Sequence, residues 1–69
     1  MEQTKTEQAL AQLDERLDHW ISDKDWNMAR YFMGQIAGAL TLAQKLDIID
    51  DQEHDQRFQA LLDKFYEAF

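Results

Sequence analysis

The stretch "MARYFMGQIAGALTLAQKL", residues 28–46, is apolar over most of a helical circumference. Met28, Ala29, Phe32, Met33, Ile36, Ala37, Leu40, Ala43 and Leu46 recur at helical spacings, and Tyr31, Ala39 and Leu42 spread the pattern beyond one stripe. An ordinary surface helix keeps a polar back, so a helix that is apolar nearly all round must be covered on several sides. This segment is expected at the centre of the fold.

The flanking sequence is suited to cover it with further helices. Proline is absent, good helix formers dominate, and no apolar/polar alternation lasts long enough for a strand. Sixty-nine residues make one domain at most. A chain of this length buries only about 60% of the surface its unfolded form exposes, so it has little stability in reserve. Cysteine is absent, which excludes disulfides and thiolate zinc sites and fits a reducing compartment. No apolar run approaches the roughly 18 residues of a membrane span. The opening "MEQTKTEQAL" is polar and acidic, unlike a signal peptide. These features lead to the expectation of a cytoplasmic protein without a membrane partner.

Three capping boxes set the expected boundaries. Thr4 with Glu7 precedes Leu10, Leu13, Leu17 and Trp20, giving a first helix over about 5–21. Ser22 with Asp25 opens a second helix over about 23–46, with Ile21 and Trp26 placed as a hydrophobic staple. Asp50 with Glu53 opens a third over about 51–68. No Gly or Pro forces a break at Ser22, so a continuous first and second helix is also compatible with the sequence.

The stretch "LDIIDDQEHDQRF", residues 46–58, carries five acids and one histidine. Local structure accounts for most of them. Asp47 can take the left-handed position that ends a helix, with Ile48 folding back onto the last turn. Asp50, Asp51 and Glu53 lie at the positive end of the third helix dipole, and Glu53 is four residues ahead of Arg57. Glu53, His54 and Asp55 are consecutive and fan apart on a helix, so they do not converge on one ion. His19, beside the leucine stripe, reads as a surface residue. No H-E-x-x-H, EF-hand loop or Glu-x-x-His pair is present. Ser22 is the only serine, and Thr4, Thr6 and Thr41 are not expected to meet a His and an Asp in an open cleft, as nucleophilic catalysis would need. No enzyme activity, metal or cofactor is expected.

Gly34 and Gly38 form G-x-x-x-G in mid-helix, where each glycine costs about 1 kcal/mol relative to alanine. A bare strip of backbone allows close approach of something. The candidates are another helix of the same chain, the same helix of a second copy, or a ligand or peptide. Aromatic residues concentrate near two points, Trp20, Trp26, Tyr31 and Phe32, then Phe58, Phe65, Tyr66 and Phe69. An antiparallel pairing of the second and third helices brings Phe65, Tyr66 and Phe69 toward Trp26, Met28 and Phe32.

The net charge is −7, with 14 acids against seven scattered bases. Such a surface repels phosphate backbones, so direct nucleic-acid binding is not expected. The fold expected is all-α, a three-helix bundle or helical hairpin with a long central helix, dimerised. The function expected is a small acidic protein–protein interaction module that acts by occupying a partner surface, with a homodimer and a further protein partner. Its interface candidates are Trp26, Phe32, Gly34, Gly38, Phe65, Tyr66 and Phe69. Two alternatives stand beside it. One is an acidic inhibitor that presents carboxylates, such as Asp14, Asp18, Asp51 and Asp55, where nucleic-acid phosphates would lie. The other is a structural subunit of a larger assembly.

Overall fold

A computed structural model describes residues 2–69, with side chains from Lys5 onward. The architecture is all-α. Helix α1 spans Glu2–Ser22, α2 spans Trp26–Lys45 and α3 spans Asp51–Ala68, and the described residues contain no strand. Helix α1 already includes Thr4, two residues into the helix, and the Thr4 side chain of the first capping box lies outside the described residues.

Two turns of the same construction separate the helices. After α1, Lys24 takes the left-handed conformation at φ 58°. Its N–H reaches Ile21 O at 3.0 Å, and the N–H of Asp25 reaches Trp20 O at 3.0 Å. After α2, Asp47 is left-handed at φ 59°, with its N–H on Gln44 O at 3.1 Å and that of Ile48 on Ala43 O at 2.9 Å. Both are Schellman motifs, which satisfy carbonyls that the helix end leaves without partners. The second places Ile48 back over α2 and buries Ile49 in the core.

The start of α2 differs from the Ser22 boundary. Ser22 is the last residue of α1, and Asp25 is the N-cap, its carboxylate accepting from Met28 N–H at 3.1 Å. Helices α1 and α2 are therefore separate. The positions needed for the expected staple change too, because Trp26 is the first residue of α2 and not the fourth. The physical reason is the left-handed Lys24: once it closes α1, the next residue able to cap is Asp25. The third boundary falls at Asp50, whose carboxylate accepts from Glu53 N–H at 2.7 Å.

Among the described residues, helix α2 packs extensively on both others, which touch each other little. Its Ala29, Ile36, Leu40 and Ala43 meet Leu10 and Leu17 of α1 and Leu61 and Phe65 of α3, with Ile49 closing one end. Leu17 is completely buried and Leu40 nearly so. Helices α1 and α3 are linked mainly by long side chains. Arg57 donates to both carboxylate oxygens of Glu7, at 2.8 and 3.0 Å, while pairing with Glu53 at 2.8 Å. Lys64 reaches Asp14 at 2.9 Å and also Asp18. Between these two links runs a groove of about 420 Å³ lined by Leu10, Ala11, Ile36, Leu40, Ala60 and Leu61.

Candidate interaction surface

The antiparallel course of α2 and α3 sets the last turn of α3 beside the first turn of α2. Phe65 points inward and anchors an aromatic group there. Its ring centroid lies 6.3 Å from Trp26, 5.5 Å from Tyr66 and 5.2 Å from Phe69. Arg30, one helical turn after Trp26, holds its guanidinium 5.1 Å from the centroid of the indole. Trp26, Arg30, Met33, Phe65, Tyr66 and Phe69 line a concavity of about 410 Å³. Only Phe65 is buried; Trp26, Tyr66 at 68% and Phe69 remain open to solvent. Lys24 ties the α1–α2 turn to this end through a hydrogen bond from Nζ to Ala68 O at 3.3 Å.

Four of the seven residues singled out from sequence, Trp26, Phe65, Tyr66 and Phe69, thus share one surface. The other three do not join it. Phe32 turns away, meets Tyr31 edge-on at 5.1 Å and packs on the core. Met28 is also absent from the lining of the concavity. Gly34 and Gly38 face solvent on the side of α2 opposite its buried residues, and a β-carbon added at either would meet nothing within 4 Å. An intramolecular close approach, one of the readings of G-x-x-x-G, is therefore overturned. The buried positions Ala29, Ile36, Leu40 and Ala43 define the inner face, and the glycines fall half a helical turn from it.

Arg30 and Met33 were not singled out from sequence. The i, i+4 spacing of Trp26 and Arg30 is the signal that finds the first, since residues four apart share a helix face. Met33 carries no distinguishing signal in an apolar run.

The two histidines differ in setting. His19 is exposed, with its ring edge-on to Trp20 at 4.8 Å and Nε2 3.6 Å from Asp23. His54 is largely covered: it stacks on Phe58 with ring centroids 5.9 Å apart, Nδ1 lies 3.2 Å from Asp55, and Nε2 lies 3.5 Å from the Thr41 hydroxyl. It helps join α3 to α2. The expectation for Thr41 is corrected here: it does have a His and an Asp in line with it, because the two helices run side by side. The Thr41 hydroxyl itself donates to Ala37 O at 3.0 Å. Among the described residues, no three His, Asp or Glu side chains converge as metal ligands. No helix among them is long and apolar enough to cross a membrane.

The acids are also more engaged than their number suggests. Asp14 and Asp18 converge on Lys64, Glu7 and Glu53 on Arg57, and Asp25 and Asp50 cap helices. Asp51 accepts from Gln44 at 2.7 Å and Asp63 from Gln59 at 2.9 Å. Comparison of the chain with protein-family models, with curated proteins and with solved structures finds no match.

Proposed function

We propose that this chain is a small, non-enzymatic protein–protein interaction module that works by occupying a partner surface, and that it self-associates through α2. On this reading the three helices form a bundle around a long central helix. The observation that carries the partner contact is the aromatic end. Trp26, Tyr66 and Phe69 stand open to solvent around a concavity, with Arg30 beside them. Tryptophan, tyrosine and arginine are the residues that most often dominate binding energy at protein interfaces. Ring contacts orient their side chains here: Phe65 lies against Trp26 and Tyr66, and Arg30 lies over the Trp26 ring.

The interaction reading draws more support than the phosphate mimic does. A mimic needs carboxylates open to a basic partner. Of the four acids that would serve it, Asp14 and Asp18 share Lys64 and Asp51 accepts from Gln44, while Asp55 alone stays largely open, beside His54.

The test is site-specific photocrosslinking in the cell that makes the protein. A photoreactive phenylalanine analogue is placed at Tyr66 or Phe69 and, for comparison, at the exposed Glu15. A discrete protein adduct at the aromatic end, absent at Glu15 and retained in high salt, is the expected result, because an apolar contact is little screened. Adducts equal at both places, or none at Tyr66 and Phe69, would sink the reading.

A further inference from the structure

Helix α2 contains no acid. Its only charges are Arg30 and Lys45, so the other 49 residues hold all 14 acids against five bases, a net of −9. The solvent face of α2 is therefore a strip that a second copy can approach without meeting a carboxylate of that helix. That strip runs through Asn27, Tyr31, Gly34, Gly38, Leu42 and Lys45, all exposed. Tyr31 and Leu42 are 57% and 59% exposed and stand one turn beyond the glycines on either side.

We propose that this face pairs with the same face of a second copy, the two α2 helices running antiparallel about a two-fold axis beside Ile36. The proposal rests on the self-association part of the function proposed above and specifies its surface and direction. Three observations select a second copy in this orientation. The strip matches itself when reversed: about position 36, Gly34 falls opposite Gly38 of the copy, Tyr31 opposite Thr41 and Leu42, and Asn27 opposite Lys45. A two-fold interface requires such self-complementarity. The bare glycine backbone lets the axes come close, so that Tyr31 of each copy can cover Leu42 of the other. Charge then fixes the direction. Lys45 is exposed and, among the described residues, holds no ion pair. Reversal sets it against uncharged Asn27 of the copy, whereas parallel pairing sets Lys45 against Lys45.

A helix of 20 residues is about 30 Å long and roughly 10 Å wide. Two paired along that length bury well under the roughly 1,200 Å² at which standard specific interfaces begin, so the association expected is weak and is sought at high protein concentration.

The chain has no cysteine, so single cysteines can be introduced and labelled without competition. The experiment places nitroxides on Asn27→Cys or Gln35→Cys and reads inter-copy distances by pulsed electron paramagnetic resonance at several hundred micromolar. In the antiparallel pair the copy's Asn27 lies at the level of Lys45, which is left in place. The separation at position 27 is then roughly 27 Å along the axis, and position 35 gives a much shorter one. Short separations at both positions would mean a parallel pair and overturn the proposal. A dimeric mass by sedimentation equilibrium without a short separation at position 35 would overturn it too, while leaving self-association through another surface. A single-chain mass at every concentration would remove self-association itself.

Discussion

Lys24 and Ala68 stand 44 residues apart in sequence, yet the Lys24 ammonium donates to the Ala68 carbonyl at 3.3 Å. One residue thereby does two things: its backbone ends α1 in the left-handed conformation and its side chain holds the last turn of α3. Asp47 has the same backbone conformation after α2, and its carboxylate sits at the negative end of that helix. A left-handed residue other than glycine costs about 1–2 kcal/mol, and an acid at a helix C-terminus adds a few tenths. Asp47→Gly should therefore raise the unfolding free energy by about 1 kcal/mol. Lys24→Gly should raise it less, because it also removes the bond to Ala68. Urea titration of both variants makes the comparison. Lys24→Met keeps the left-handed backbone and removes the ammonium, so an unfolding free energy unchanged in that variant would show that the bond to Ala68 contributes nothing.

Caps provide a second comparison. Asp25 and Asp50 each accept from a backbone N–H three residues on, whereas Ser22 lies inside α1. Asp25→Ala and Asp50→Ala should each cost about 0.5–2 kcal/mol, as lost N-caps do. Ser22→Ala should be nearly neutral or slightly favourable. A loss at Ser22 as large as that at Asp25 would place the start of α2 at the earlier capping box.

The ion pairs at Lys64 give a dependence on alkaline pH. Burial pulls the Lys64 ammonium down, but hydrogen bonds to Asp18 and Asp14, together with their charges, outweigh it and hold the group above its ordinary 10.5. The folded state thus binds this proton more tightly than the unfolded state does. The stabilisation is complete below 10.5 and fades as pH rises through the raised folded value. Melting temperatures of wild type and Lys64→Met, followed from about pH 9 to 12, should converge at the top of the range. A constant difference would assign the Lys64 effect to packing of its aliphatic stem.

The glycines separate fold from assembly. Nothing lies near a β-carbon at Gly34 or Gly38, so alanine at either should stabilise the single chain by up to about 1 kcal/mol through helix propensity alone. Gly38→Leu should likewise keep the fold and yet lower the sedimentation-average mass at high concentration. A Gly38→Leu chain that unfolds would mean that the outer face of α2 is occupied within the chain after all.

Different parts of the molecule were legible in the sequence to different degrees. The start of α3 was, because Asp50 followed by Glu53 has one good capping solution and the side chain adopts it. The left-handed turn at Asp47 was legible too, since an acid directly before paired isoleucines, at the end of a helical pattern, has few other uses. The start of α2 was not. Ser22 and Asp25 are both good caps, and the choice between them was made by Lys24, a residue with no signal for a left-handed backbone. The aromatic end could be anticipated because helix direction alone brings residues 65–69 to residue 26. The orientation of the glycines could not. A helix that is apolar nearly all round gives no clear inner side, and Tyr31 and Leu42, counted as apolar in the pattern, turn out to lie on the outside. The charge links from α1 to α3 join residues about 50 apart, and no local pattern announces them.

Because α2 packs on the helices that precede and follow it in sequence, the main contacts can form by closing only two short turns, at residues 23–25 and 46–50. Such a topology refolds in microseconds to milliseconds, since little loop entropy is lost before contacts repay it. The bonds from Arg57 to Glu7 and from Lys64 to Asp14 are the exception: they join the far ends of the chain and are expected to form after the rate-limiting barrier. Arg57→Met or Lys64→Met should therefore quicken unfolding and leave the refolding rate unaltered in a stopped-flow denaturant series. The two ion-pair links would then govern how long a folded molecule lasts, while the hub formed by α2 governs how quickly one is made.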